Sequence, residues 1–130
     1  MIKSFRANLL MKKICKKHKI TFIDFSKMNE KERPFSNGQI TDCSFCTYDE
    51  IFLGLYKDKE KRLASFFHEL GHILNLSGRD ENAILSKYEI EMNAWATGFS
   101  EAAKYNIRFR HPTLQWCTDQ LQTYEKSEFN

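Results

Sequence analysis

The stretch that most restricts the fold runs from about Glu60 to Leu76, where apolar residues at Leu63, Phe66, Phe67, Leu70, Ile73 and Leu74 recur at helical period. The pattern stops at the turn-forming run Asn75-Leu76-Ser77-Gly78, so a helix with one broad buried face is expected. Within that face the sequence reads FFHELGHIL, with His68 and His72 four apart and Glu69 directly after the first. Residues i and i+4 of a helix lie one turn apart on the same side, so both imidazoles can aim a ring nitrogen at a single point. Two imidazoles and a carboxylate beside Phe66, Phe67 and Leu70 are costly to bury without partners. A cation held between the rings supplies that partner.

H-E-x-x-H on a helix combines two zinc ligands with a carboxylate set about 100° round the helix, near the metal but not on it. Zinc lowers the pKa of its water towards neutrality, and Glu69 is placed to take the proton. A structural zinc site closes with a fourth protein ligand, whereas a catalytic one takes three and leaves a position for water. The segment KYEIEMNAWATGF (87–99) offers Glu89 and Glu91 as the third. Read as a helix, it places Tyr88, Glu91, Met92, Trp95, Gly98, Phe99 and Ala102 on one side and Glu89, Asn93, Ser100 and Lys104 on the other. Glu91 is on the inward side, and small Ala94, Gly98 and Ala102 let the two helices approach closely.

The remaining chain predicts an α-β-β-β-α-α-α order, an α+β fold with a small three-stranded sheet beside a helical body, and one domain over residues 1–130. Ile2, Phe5, Leu9, Leu10 and Ile14 mark a first helix, and ITFIDF (20–25) a strand. A polar loop closing on Asn37-Gly38 leads to two further strands, through QITDC (39–43) and YDEIFLGLY (48–56), joined near Ser44. Asp58 is placed to cap the histidine helix. A longer helix is expected from about Asn82 to Tyr105. A last helix opens at His111-Pro112-Thr113, with Leu114, Trp116, Cys117, Leu121 and Tyr124 on its apolar side.

Lys and Arg exceed Asp and Glu by 20 to 17, and the excess crowds residues 3–19. That cluster is read as a solvated helix face rather than a nucleic-acid or membrane site. Without a long apolar run or a signal-like start, a cytoplasmic protein is expected. Cys15, Cys43, Cys46 and Cys117 are then free thiols. Cys15 with His18 and Cys43 with Cys46 share metal-ligand spacing and could in principle converge on a second zinc. The preferred reading places one thiol of CSFC inside and one outside.

HELGHIL, followed from Glu89 by a glutamate-bearing helix with an Ala-rich, aromatic continuation, resembles the ImmA/IrrE family of metallopeptidases, a minimal zincin fold of the gluzincin type. The resemblance spans roughly Ile40 to Ala103 and is strongest at HELGH. Glu91-Met92-Asn93-Ala94-Trp95 fits the Glu-x-x-Ala-Trp form of compact phage-like relatives. Glu89-Ile90-Glu91-Met92-Asn93 fits the alternative Glu-x-x-Ala-Asn/Asp form, with Met92 where alanine is usual, and would make Glu89 the ligand and Asn93 its partner. Glu91 is preferred because its facing and the Ala94 match agree. The family's Leu-Leu-Met-Pro ending is replaced here by GFSEAAKYNI (98–107).

What the resemblance implies is a zinc-dependent endopeptidase in which His68, His72 and Glu91 hold Zn²⁺ and Glu69 is the catalytic base. Its better-known relatives cut helix-turn-helix repressors of mobile elements or stress responses. This chain contains no helix-turn-helix segment of its own, so such a substrate would be a separate protein. Tyr88, Tyr105 and His111 are candidate oxyanion donors, and the edge of the sheet at YDEIFLGLY is a candidate for binding substrate as an added strand. The rival expectation is a non-catalytic module that keeps the zinc fold and captures a regulatory protein.

Overall fold

The computed structural model describes residues 4–29, 43–76 and 85–129. It is an α+β fold with four helices and a small mixed sheet: α1 (Ser4–Lys17), β1 (Thr21–Asp24), a 3-10 turn (Phe25–Lys27), β2 (Phe45–Cys46), β3 (Glu50–Leu53), α2 (Lys59–Leu76), α3 (Lys87–Ala103) and α4 (His111–Phe129). Among the described residues no helix is long and apolar enough to cross a membrane.

The sheet order is β1-β3-β2. β1 runs parallel to β3 with Phe22 opposite Ile51, and β2 runs antiparallel to it with Cys46 opposite the same residue. β3 is therefore the middle strand, which corrects the expectation that YDEIFLGLY offers an edge to substrate. It is also shorter than that run, because Gly54 turns out of the sheet against Cys43. A Cβ on Gly54 would overlap the Cys43 carbonyl, and the Gly54 N–H donates instead to Ser44 Oγ at 2.9 Å. The strand expected through QITDC lies at 39–42 outside the described residues. The partner of β3 is Phe45–Cys46, where Phe45 stacks on Phe52 with ring centroids 4.4 Å apart.

In α1 the buried stripe is Ala7, Met11 and Ile14, with Cys15 beside it, whereas Phe5 and Leu9 are 72% and 52% exposed. Of the apolar residues that marked this helix, Ile14 is buried and Leu10 packs against the core. The small Ala7 marks where the helix seats, and Ile2 is outside the described residues. Arg6, Lys12, Lys13, Lys16 and Lys17 are exposed on the rest of the helix. Arg62 of α2 ties this layer together by donating to Asn8 Oδ1 at 2.7 Å and to Asp24 Oδ2 at 2.6 Å.

α2 begins where expected, because the Asp58 carboxylate accepts from the backbone N–H groups of Glu60 and Lys61. One side of α2, with Leu63, Phe66, Phe67, Leu70 and Ile73, forms the main core with Met11, Ile14, Ile51 and Leu53. Another side, at Ala64, meets Trp95 of α3 and Cys117 of α4. A helix packed on two sides buries polar residues too, and Glu60, Ser65 and Glu69 are all buried.

α3 starts at Lys87, not near Asn82. Ser86 Oγ accepts from the Glu89 N–H, and the Glu89 carboxylate accepts from the Ser86 N–H, a reciprocal cap that sets the first turn. Residues 82–84 lie outside the described set. At the far end the helix closes at Ala103, and Asn106 takes the left-handed conformation that Asn tolerates (φ 60°).

The start of α4 is anchored to the start of α2. Glu60, with no exposed side-chain surface, accepts from the backbone N–H and the Nε–H of Arg110. Burial alone would raise the Glu60 pKa, but these bonds, the Thr113 hydroxyl and the Arg110 charge outweigh it and hold it below 4.5. A carboxyl depressed on folding contributes stability above its unfolded value and loses it as pH falls through the folded one. Glu60→Gln is accordingly expected to cost about 1–3 kcal/mol at neutral pH. Urea midpoints of variant and wild type should converge as pH falls below the ordinary carboxylate range. A gap independent of pH would refute the ionised pairing.

Candidate metal centre

α2 and α3 cross at two glycines. A Cβ on Gly71 would overlap the Ala94 carbonyl oxygen, and one on Gly98 would lie 2.8 Å from the Phe67 carbonyl carbon and 3.2 Å from the His68 nitrogen. Backbone therefore meets backbone. The approach expected from Ala94 and Gly98 is completed by Gly71, the glycine inside HELGH, to which sequence reading assigned no role. Thr97 of α3 donates to Asn75 Oδ1 of α2 at 2.8 Å beyond the crossing.

Glu91 lies seven residues before Gly98, two turns back on the same face, and so arrives opposite the histidine pair. His68 Nε2 and His72 Nε2 are 3.2 Å apart. Glu91 Oε2 stands 3.2 Å from the first and 2.5 Å from the second. Ligands placed tetrahedrally at about 2.0–2.1 Å from zinc are separated by roughly 3.3 Å, so two edges of this triangle already have the spacing zinc requires. The third edge would open by about 0.8 Å on metal entry.

The electrostatics match a site built for positive charge. Burial acts to raise the Glu91 pKa, but the bonds and charges of His68 and His72 dominate and drive it far below the carboxylate range. Burial lowers the His68 pKa against the pull of Glu91, whereas at His72 the Glu91 contact and the charges of Glu91 and Glu69 overcome burial and raise it. The shifts at His72 and Glu91 both favour positive charge beside the Glu91 carboxylate, where a metal ion would put its own. Among the described residues, nothing hydrogen-bonds Glu69 Oε2 or His68 Nδ1, and both atoms are buried. The His68 ring lies against Trp95 in a tilted contact, centroids 4.0 Å apart.

Glu69 is 6% exposed, and its carboxylate shares a 4.8 Å group with the donor atoms of His68 and His72. Burial is the main cause pushing its pKa up to about 8, with His72 opposing and Glu91 adding to the rise. His68, Glu69 and Glu91 line a cleft of about 190 Å³, walled by Cys43 and Ser44 before β2 and by Trp95, Trp116 and Tyr124.

The structure brings His68, Glu69, His72 and Glu91 together. It leaves Glu89 outside, exposed, with its carboxylate engaged in the cap of α3. Tyr88, Tyr105 and His111 do not line the cleft, which corrects their candidacy as oxyanion donors. Tyr105 packs against the main core, and His111 is exposed at the start of α4. The tyrosines that do line the cleft are Tyr56 and Tyr124, and the Tyr124 hydroxyl bonds the Glu91 carboxylate. Burial, then the Glu91 charge and bond, push its pKa up to about 12. The sequence signal was its place on the apolar stripe of α4 with Cys117 and Leu121, because a tyrosine there buries its ring and must find a partner for its hydroxyl.

Among the described residues, the group of three or more His, Cys, Asp or Glu donors close enough to hold a metal is the His68 cluster, and Cys15, His18, Cys43 and Cys46 form none. All four cysteines are free thiols. Cys43 is exposed, whereas burial pushes the Cys15, Cys46 and Cys117 thiols up to about 12. Maleimide is expected to label Cys43 rapidly in the native protein and the other three only after unfolding. Intact mass before and after denaturation checks this, and more than one fast label would contradict it.

No family model matches the chain, and neither a curated protein nor a solved structure is found to match it.

Proposed function

We propose that the chain is a zinc-dependent metallo-endopeptidase with a minimal zincin-like fold of the ImmA/IrrE type. It hydrolyses a peptide bond in a specific protein substrate, such as a helix-turn-helix repressor of a mobile element or stress response. The observation that carries this reading is the convergence of His68 Nε2, His72 Nε2 and Glu91 Oε2 within 3.2 Å of one another beside the buried Glu69 carboxylate, at the wall of an open cleft. Two imidazoles and one carboxylate are the donor set of a catalytic zinc, with a position left for water and substrate. Zinc bound there supplies a Lewis acid that polarises the scissile carbonyl and acidifies water.

The chain's own residues do the rest. Trp95 fixes the His68 ring by close ring contact, and the backbone crossing at Gly71 and Gly98 fixes the distance between the histidine helix and Glu91. Glu69 accepts the proton of the attacking water and delivers it to the leaving amine, a transfer for which a desolvated carboxylate of raised basicity is suited. The aromatic wall of Tyr56, Trp95 and Trp116 excludes water from one side and offers apolar surface to a substrate side chain.

The test is digestion of a proteome-derived peptide library by the purified protein with one equivalent of zinc, read as new N-termini by mass spectrometry. Cleavage by wild type that is absent with Glu69→Gln supports the reading. Cleavage that persists in the variant, or none with either protein, overturns it.

A further inference from the structure

The cleft is closed on one side by α4, the helix farthest along the chain from HELGH. Buried Thr113 and Cys117, followed by Leu121 and Tyr124, follow one stripe of that helix. The Glu60–Arg110 clamp secures the start of the helix, and Cys117 packs with Ala64 and Trp95 in its middle. Tyr124 is thereby carried into the cleft beside Glu91, to which its hydroxyl is bonded. Lys87 holds the phenol ring from the other side, its Nζ 5.4 Å from the ring centroid. Lys87 and Glu91 are one turn apart on α3, so a single helix face grips the tyrosine at both ring and hydroxyl.

A carboxylate has about four acceptor sites, and one that turns an oxygen towards two imidazoles keeps capacity for a further donor. Outer partners of this kind orient ligands and tune affinity. For His68 no such partner is found among the described residues, where its Nδ1 is buried without a hydrogen bond. The orientation of the third ligand therefore matters more here.

We propose that Tyr124 is a positioning residue of the metal centre: its hydroxyl, donating to the Glu91 carboxylate, holds the third ligand against His68 and His72. The assignment rests on reading His68, His72 and Glu91 as a zinc site.

The test titrates full-length wild type, Tyr124→Phe and Gln122→Ala with Zn²⁺ against a chromogenic chelator, and with Co²⁺, whose visible absorption reports ligand geometry. Gln122 is an exposed α4 residue and serves as the helix control. Tyr124→Phe is expected to weaken the zinc Kd by about 10- to 100-fold and to shift the Co²⁺ bands. The thermal midpoint of its metal-free form stays near wild type, because the ring is retained, and Gln122→Ala matches wild type throughout. A merely structural tyrosine would lower the melting point and leave the cobalt spectrum alone. If Tyr124→Phe binds zinc within about twofold of wild type, or keeps the wild-type bands, this assignment falls and the metal centre stands. If wild type binds neither metal, the metal-centre reading fails and takes the assignment with it.

Discussion

Glu69→Gln is expected to lower kcat for peptide hydrolysis by about 10²- to 10⁴-fold, with KM and bound zinc nearly unchanged. Glutamine keeps the shape of the side chain in its buried place on α2 but has no oxygen that can take a proton from water. Among the described residues Glu69 Oε2 has no hydrogen-bond partner, so the substitution breaks no bond to them at that atom. The effect belongs to proton transfer alone, which is why kcat moves and zinc content does not. A variant that keeps the wild-type rate would exclude Glu69 as the base. A variant with full biological effect but no hydrolysis would identify a module that captures its regulatory protein without cutting it.

Gly98→Ala is expected to destabilise the protein by about 2–4 kcal/mol and to weaken metal binding at the same time. The sign makes this a sharp test. In an ordinary helix interior, alanine is favoured over glycine by up to about 1 kcal/mol. At Gly98 the added Cβ meets the Phe67 carbonyl and the His68 nitrogen, backbone atoms that yield only if the helices part. Parting them carries Glu91 away from His68 and His72, whose nitrogens lie on the other side of the same crossing. Chemical denaturation with and without zinc measures both losses. A stabilised Gly98→Ala protein would show that the helices do not cross as described.

The elements that were legible in the sequence are those whose signal is local. The apolar period and Asp58 located α2 within a residue, and facing alone put Glu91 inward. Glu89, left open beside it, carried its own signal in Ser86-Lys87-Tyr88-Glu89, a capping box that occupies its carboxylate and ends the helix short of Asn82. The sheet was harder. The short β2 is defined by what Ser44 and Phe45 meet in Gly54 and Phe52, and such nonlocal contacts leave no periodic trace. Tyr124 could not be linked to Glu91 from sequence, because only the docking of α4 joins them.

Metal content of the purified protein, by inductively coupled plasma mass spectrometry on wild type, His72→Ala, Glu91→Ala and Glu89→Ala, tests the central claim most directly. About one zinc per chain is expected in wild type and in Glu89→Ala, and under roughly a tenth of that in the other two. A wild type without metal, or zinc retained in His72→Ala and Glu91→Ala, would contradict it.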